Sequence, residues 1–396
     1  MKILALYLPQ YHTIPENDEW WGKDYTEWDS LKRGEKLIDS QYQPRIPLNN
    51  NYYDLSNVNV MKWQTELAKK YGIYGFCVYH YWFNGKLLLE KPMENYLKHK
   101  EIDFPFCFCW ANEDWSNIWS GDLNNIKILI SNSYDDKEDW INHFNYFLPF
   151  FLDKRYIKDK NRPVLVIYNP ILINKMQEIK ECWNELAIEN GFDGICLIYQ
   201  GAKFYTLNDK RKELFDYGFQ YYPGLLEELE KNQITLKKEI YIHHLGTKIR
   251  KILGNDFLKR KLNENCSDEK KVRKLENYDD LWNRILKINP KDNNIIPGAF
   301  TDWDNTPRRK YNGKIVIGSS PEKFKKYLSI QVKRAINIYK KDCMIIFAWN
   351  EWSEGGYLEP DEKYKYKYLE AIYDVLKDSD ELPVSYSKHD NNFFER

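Results

Sequence analysis

The sequence of 396 residues has no surplus of either charge: 59 Lys and Arg stand against 59 Asp and Glu. A nucleic-acid binder needs a basic excess to neutralise phosphates, so that class is excluded. No apolar run approaches the roughly 18 residues of a membrane-spanning helix. The run Ile3–Leu8 is too short for the core of a secretory signal, is closed by Pro9, and reads as a buried first strand of a cytoplasmic protein. Cysteine is scarce and odd in number: Cys107 and Cys109 share one face of a strand, while Cys77, Cys182, Cys196, Cys266 and Cys343 are scattered. That pattern gives neither a disulfide framework nor a zinc spacing, and reads as free thiols in a reducing compartment. The histidines form no H-E-x-x-H and no Cys/His cluster, so neither a metal nor a cofactor is expected. Nucleotide-phosphate and acyl-transfer signatures are missing too: no G-x-G-x-x-G follows the first strand, and no Walker A or G-x-S-x-G occurs.

What the sequence does have is a series of short apolar runs rich in Ile, Val, Phe, Tyr and Cys. They are Ile3–Leu8, Gly75–Tyr81, Pro105–Trp110, Pro163–Tyr168, Gly194–Tyr199, Tyr217–Tyr221, Ile295–Phe300 and Cys343–Trp349. Continuous rather than alternating hydrophobicity is what parallel strands buried on both faces require. Between them lie stretches of helical period, such as Asp139–Phe151, Lys175–Asn190 and Pro321–Tyr339, the last with a first-turn proline behind Ser319 and Ser320. Eight strands alternating with helices predict an α/β fold, a (β/α)8 TIM-type barrel, over residues 1–379. A Lys-rich helical insertion is expected before the seventh strand, at about 225–290. Within Lys237–Lys274, 12 Lys and Arg face 5 Asp and Glu, a solvated surface by default. Residues 380–396 read as a polar tail.

In such a barrel the site is built after the carboxyl ends of the strands. Those positions are dense in Trp beside carboxylates and amides, the mixture a sugar calls for: an indole stacks on the C–H face of a pyranose and planar polar groups bind its rim hydroxyls. The candidate substrate-binding residues are Tyr11, His12, Tyr79, His80, Trp82, Trp110, Asn112, Glu113, Trp115, Asp302, Trp303, Asp304, Arg308, Asn350, Trp352 and Glu359. Asp302-x-Asp304 is the tripeptide many nucleotide-sugar transferases place on a divalent metal, but Asp378-x-Asp380 repeats it. The first pair is expected to bind sugar hydroxyls or to hold Arg308 and Arg309.

Glu351 and Glu354 form the sharpest pair. If Asn350 caps a helical turn leaving the eighth strand, a spacing of three puts both side chains on one face, with Cβ atoms roughly 5–6 Å apart. Carboxyl groups about 5–5.5 Å apart are what a retaining glycosidase uses, and mutual repulsion would keep one protonated near neutral pH. Acidic residues also favour a helix's first turn through its dipole, with no catalysis involved.

Taken together, several segments resemble the WbsX-like proteins of bacterial surface-polysaccharide gene clusters, which belong with the glycoside hydrolase family 99-like superfamily. They include Tyr7-Leu8-Pro9-Gln10-Tyr11-His12, Tyr25-Thr26-Glu27-Trp28, Gly75-Phe76-Cys77-Val78-Tyr79-His80-Tyr81-Trp82, Trp110-Ala111-Asn112-Glu113, Trp303-Asp304-Asn305-Thr306-Pro307-Arg308-Arg309 and Asn350-Glu351-Trp352-Ser353-Glu354-Gly355. The resemblance implies a (β/α)8 barrel acting on glycosidic bonds, with Glu351 as base on the sugar's own 2-hydroxyl and Glu354 as acid/base at the leaving oxygen. The partner expected is an oligosaccharide or polysaccharide, with peripheral contact to a lipid-linked glycan allowed. Two other readings stay open. One is a glycosyltransferase of O-antigen, capsule or lipopolysaccharide biosynthesis using a nucleotide- or lipid-linked sugar; the other is a non-catalytic carbohydrate-binding protein.

Overall fold

The computed structural model describes residues 1–117, 127–231, 274–383 and 393–394. Eight parallel strands form the barrel: β1 (Lys2–Tyr7), β2 (Gly75–Phe83), β3 (Phe106–Trp110), β4 (Arg162–Ile167), β5 (Cys196–Tyr199), β6 (Tyr217–Phe219), β7 (Ile295–Ile296 and Gly298–Phe300) and β8 (Cys343–Phe347). Each pairs in parallel with its sequence neighbours, and β1 pairs with β8 (Leu4 opposite Ile345) and with β2 (Leu6 opposite Cys77). β7 comes in two parts because Pro297 has no N–H to give a ladder. Its first half pairs with β6 and its second half with β8. Nine parallel segments thus nearly close the ring.

The strands are buried along almost their whole length, as expected for a sheet covered by helices outside and filled by side chains within. Helices Val58–Lys70, Lys91–Lys98, Lys137–Phe151, Met176–Glu189, Tyr278–Ile285, Pro321–Arg334 and Lys367–Asp378 supply the cover. Local chemistry starts several of them. Asp136 accepts from the backbone N–H of Glu138 at 2.9 Å, Asn57 from that of Asn59 at 3.1 Å, and Ser320 from that of Lys323 at 3.3 Å ahead of Pro321. The thiols of Cys77, Cys107, Cys109, Cys182, Cys196 and Cys343 are free and buried.

The centre of the expected Lys-rich insertion, 232–273, lies outside the described residues. Its C-terminal flank packs against the barrel: Lys274–Asn277 forms a separate two-stranded parallel sheet with Lys314–Ile317, and Trp282 stacks between Phe300 and Tyr327 at ring separations of 5.7 and 5.4 Å. Most of the tail also lies outside them. Phe393 and Phe394 are buried, with Phe394 4.6 Å from the ring of Tyr217, a burial that a reading of 380–396 as polar does not anticipate.

Candidate active site

A cavity of about 780 Å³ opens at the carboxyl ends of the strands. The chain after β8 enters its wall as a hairpin, not as a helix. Asn350–Glu351 pairs antiparallel with Gly356–Tyr357, so Glu351 and Glu354 meet across a tight turn and not along a helical face. Two glycines allow this. Gly355 has φ +72°, and a Cβ on Gly356 would lie 2.2 Å from the Phe347 ring.

The hairpin is anchored from below. Asn350 exchanges two hydrogen bonds with the backbone of Leu8, at 2.8 and 2.9 Å, and the Tyr11 hydroxyl donates to the carbonyl of Asn350 at 2.5 Å. Beneath lies Glu359, which accepts from Gln64 (2.7 Å), Trp349 (3.0 Å), Trp352 (2.7 Å) and Tyr53 (2.8 Å). Burial pushes its carboxyl up to about 7, against the pull of those four donors.

Arg308 gathers three carboxylates. It donates to Glu27 at 2.8 Å, to Glu351 at 3.3 Å and to Glu354 at 3.2 Å. The backbone N–H of Glu354 also donates to Glu351 at 3.2 Å, and the Ser353 hydroxyl to Glu27 at 2.9 Å. Glu27 opens helix Glu27–Lys32, whose Thr26 backbone N–H is held by Asp29 at 2.8 Å. Burial raises both Glu351 and Glu354 above the usual carboxylate range. Neighbouring negative charge adds to the rise and Arg308 opposes it.

Of the residues singled out in the sequence, Tyr79, Glu113, Trp115, Trp303, Arg308, Glu351 and Glu354 line the cavity. The other positions need correction. Strand side chains alternate between faces, and along β2 it is Tyr79 and Tyr81 that face in. His80 and Trp82 point out to helix Lys137–Phe151: His80 Nε2 lies 3.0 Å from His143 Nε2, and Trp82 stacks on His143 at 4.6 Å and donates to Asp139. Trp110, opposite His80 in the β2–β3 register, packs likewise on His143 and Trp183. Asn112 is spent on Asn169, donating to its carbonyl at 2.9 Å and accepting from its N–H at 2.7 Å.

His12 is buried away from the cavity wall, and Tyr11, Asn350, Trp352 and Glu359 support the hairpin rather than face the cavity. Asp302 and Asp304 do not hold Arg308 and Arg309. Asp302 pairs with buried Arg45 at 2.8 Å; Asp304 accepts from Gln41 and Gln43 and caps Thr306. Both are saturated behind the wall, which leaves them unsuited to present a metal to the cavity.

The sequence reading did not place Tyr81, Tyr168, Tyr221, Phe347, Glu27 or Arg309 in the site, yet all line it. Glu27 and Arg309 sit in segments that carry the family resemblance; the aromatics follow from strand alternation once one inward residue is known. Trp115 sits against Tyr81 (5.0 Å), Phe83 (5.8 Å) and Trp20 (6.0 Å), and Trp303 against Phe347 (5.2 Å), which puts aromatic faces on separate walls of the cavity.

The nearly closed ring of parallel strands, with a cavity at their carboxyl ends, defines an α/β barrel of the TIM type. The GH99 endo-alpha-mannosidase from Bacteroides thetaiotaomicron has the same fold, with a TM-score of 0.54 at 12% identity over 95% of this chain and 96% of that one. A glycoside hydrolase-like protein superposes with a TM-score of 0.50 at 12% identity, over 97% of this chain and 94% of that one. The sequence matches the family described as Glycosyltransferase WbsX over residues 3–372, and the chain belongs to that family. It is 33% identical over 376 residues to the uncharacterized protein WxcX of Xanthomonas campestris pv. campestris, a match covering 94% of this chain and 49% of that protein. The chain therefore spans about half the length of the curated relatives it matches.

Proposed function

We propose that this chain is a carbohydrate-active enzyme that cleaves, or transfers at, a glycosidic bond of a bacterial surface polysaccharide or oligosaccharide with retention, in a mannosidase-like manner. The observation that carries the reading is the bridging of Glu351 and Glu354 by one buried guanidinium on the wall of an aromatic cavity. The pair must hold one proton between them for this chemistry, and burial with facing carboxylates favours that shared state.

In the first step Glu351 takes the proton of the sugar 2-hydroxyl as that oxygen attacks C1, closing a three-membered ring. Glu354 gives its proton to the leaving oxygen as the glycosidic bond breaks. In the second step Glu354, now ionised, takes a proton from the acceptor hydroxyl, whose oxygen opens the ring at C1, and Glu351 returns its proton to O2. Water as acceptor gives hydrolysis and a sugar hydroxyl gives transfer; hydrolysis is the simpler outcome of this arrangement. Trp115, Trp303, Tyr81 and Tyr221 would stack or border the sugar rings, and Glu113 would bind a hydroxyl. A cytoplasmic location and peripheral contact with a lipid-linked glycan are part of what we propose; among the described residues no helix is long and apolar enough to cross a membrane.

A second reading, transfer from a nucleotide- or lipid-linked sugar in polysaccharide biosynthesis, is favoured by the family's description as glycosyltransferases. One experiment separates the two. The protein is incubated with surface polysaccharide or lipid-linked oligosaccharide from its host, with and without EDTA and nucleotide sugars, beside Glu351→Gln and Glu354→Gln. Shortened glycan that persists in EDTA and is lost in both variants supports cleavage; transfer that needs a nucleotide sugar and metal overturns it. Binding without turnover in every condition points to a carbohydrate-binding protein.

A further inference from the structure

The cavity carries more cations than sugar hydroxyls require, and they fall into two groups. Arg308, Lys231, Lys274 and Lys314 are each neutralised: Arg308 by three glutamates, Lys231 by Glu228 at 2.5 Å, Lys274 by Glu230 at 3.3 Å, and Lys314 by Glu227 at 2.9 Å and Glu276 at 2.6 Å. Arg33, Arg309 and Lys310 also line the cavity, and among the described residues no carboxylate comes within ion-pair distance of any of them.

Their placement follows from two short helices. Arg33 directly follows Glu27–Lys32, Arg309 ends Thr306–Arg309 and Lys310 comes next, and the two helices pack against each other. The three cations therefore leave neighbouring helix C-termini along one rim. A helix C-terminus favours a cation, but its partial charge of at most about half a unit leaves about half of one side chain's charge uncompensated, and Arg309 and Lys310 share a single terminus. Arg33 lies over the ring of Tyr25, itself a lining residue, at 5.9 Å. Arg309 is close enough to Glu354 to act on its carboxyl, which puts this rim beside the paired glutamates.

We infer that Arg33, Arg309 and Lys310 form an anion subsite next to the reacting bond, which takes a carboxylate or phosphate carried by the substrate. The guanidinium of Arg309 suits bidentate capture of either group, and Lys310 adds a compact point charge. The substrate class becomes an acidic glycan, or a sugar held by its phosphate, in place of a neutral one. This inference rests on the reading of the cavity as a sugar site but not on turnover.

Binding to the full chain is measured by thermophoresis with three probes that share one ring: glucose, glucuronate and glucose 1-phosphate. Glu351→Gln is included, so that loss of catalysis and loss of anion capture are read apart. The expected result is at least about tenfold tighter binding of one or both anionic probes than of glucose, falling with added salt. That margin disappears in Arg309→Gln/Lys310→Gln and in Arg33→Gln and persists in Glu351→Gln. All three replaced positions are at least partly exposed, and unchanged thermal midpoints check that the variants fold. Preference for glucuronate identifies an acidic sugar; preference for glucose 1-phosphate, with competition by inorganic pyrophosphate, identifies a phosphate-linked one. Equal binding of all three probes, no binding of any, or a margin that survives the Arg33, Arg309 and Lys310 replacements overturns the inference. Loss of turnover in Glu351→Gln with the margin absent from the wild type would leave the catalytic reading standing and this one refuted.

Discussion

The backbone N–H of Glu354 donates to Oε1 of Glu351 over 3.2 Å. The Glu351 carboxylate is thus tied to the backbone that carries Glu354, and both carboxylates are tied to Arg308. If they share the work of bond cleavage, neither can be spared. Glu351→Gln and Glu354→Gln should each lower turnover by about 10²–10⁴-fold with the fold intact. Product release measured beside far-ultraviolet circular dichroism tests this, and a variant that keeps wild-type turnover removes its residue from catalysis.

Arg308 faces three carboxylates in a buried setting, so its removal should be felt in stability first. Arg308→Ala is expected to lose about 3–5 kcal/mol, because breaking a buried ion pair strands its partners. Arg308→Lys should recover part of this but not activity, since an ammonium cannot present two parallel N–H groups to Glu351 and Glu354. Denaturant midpoints and turnover of the two variants provide the check; a silent Arg308→Ala would show that the carboxylates do not depend on it.

Both glutamates hold their protons more tightly in the folded protein than at the ordinary value of 4.5, through burial and facing negative charge. The stability that goes with the bound proton is fully present below that value and declines as the pH rises through the raised one. The raised titration belongs to the pair, which shares its proton, so Glu351→Gln/Glu354→Gln, which cannot ionise at either position, should gain on the wild type as the pH rises above about 4.5. Urea unfolding at acid and neutral pH measures it. Parallel curves for the two proteins would show that the pair ionises as it does in water.

The tryptophans divide by face. Trp303→Ala and Trp115→Ala should raise KM by about tenfold, the loss of roughly 1–1.5 kcal/mol of stacking, and leave kcat less affected. Trp82→Ala and Trp110→Ala, which remove packing on His143, should cost about 3 kcal/mol or more of stability with KM unchanged. A KM effect at Trp82 or Trp110 with unchanged stability would contradict the outward orientation.

Glu359→Gln should destabilise the protein by about 2–3 kcal/mol, since a carboxamide turns an N–H toward donors that need an acceptor. As Trp349 and Trp352 flank the hairpin residues Asn350 and Glu351, kcat should fall with it while KM moves less. Thermal midpoints and initial rates decide; a stable and fully active variant would show that the hairpin does not need this anchor.

The strands could be read from the sequence because each is a continuous apolar run, and burial on both faces demands that of any parallel strand. β7 could be read through Pro297, since the flanking residues kept the pattern. The turn after β8 could not. Asn-x-x-x-Glu spacing suits a helical cap as well as a hairpin, and the choice falls to Gly355, held at φ +72°, and to the Phe347 ring that fills the space beside Gly356. Nor could the direction of His80, Trp82 and Trp110, because a run apolar on both faces carries no phase.

By itself, the sequence determined that eight buried strands alternate with helices, that polar and aromatic residues crowd the strand ends, and that Glu351 and Glu354 stand three apart. Those are properties of neighbouring residues, set by hydrophobicity and backbone preference. Only the tertiary structure decided that Glu27 and Arg308, 281 residues apart, meet that pair, while Asp302 and Asp304 turn away to Arg45, Gln41 and Gln43. Closing the barrel brings the loops after β1, β7 and β8 onto one mouth, and in that buried space each charge must find a partner wherever in the chain it lies.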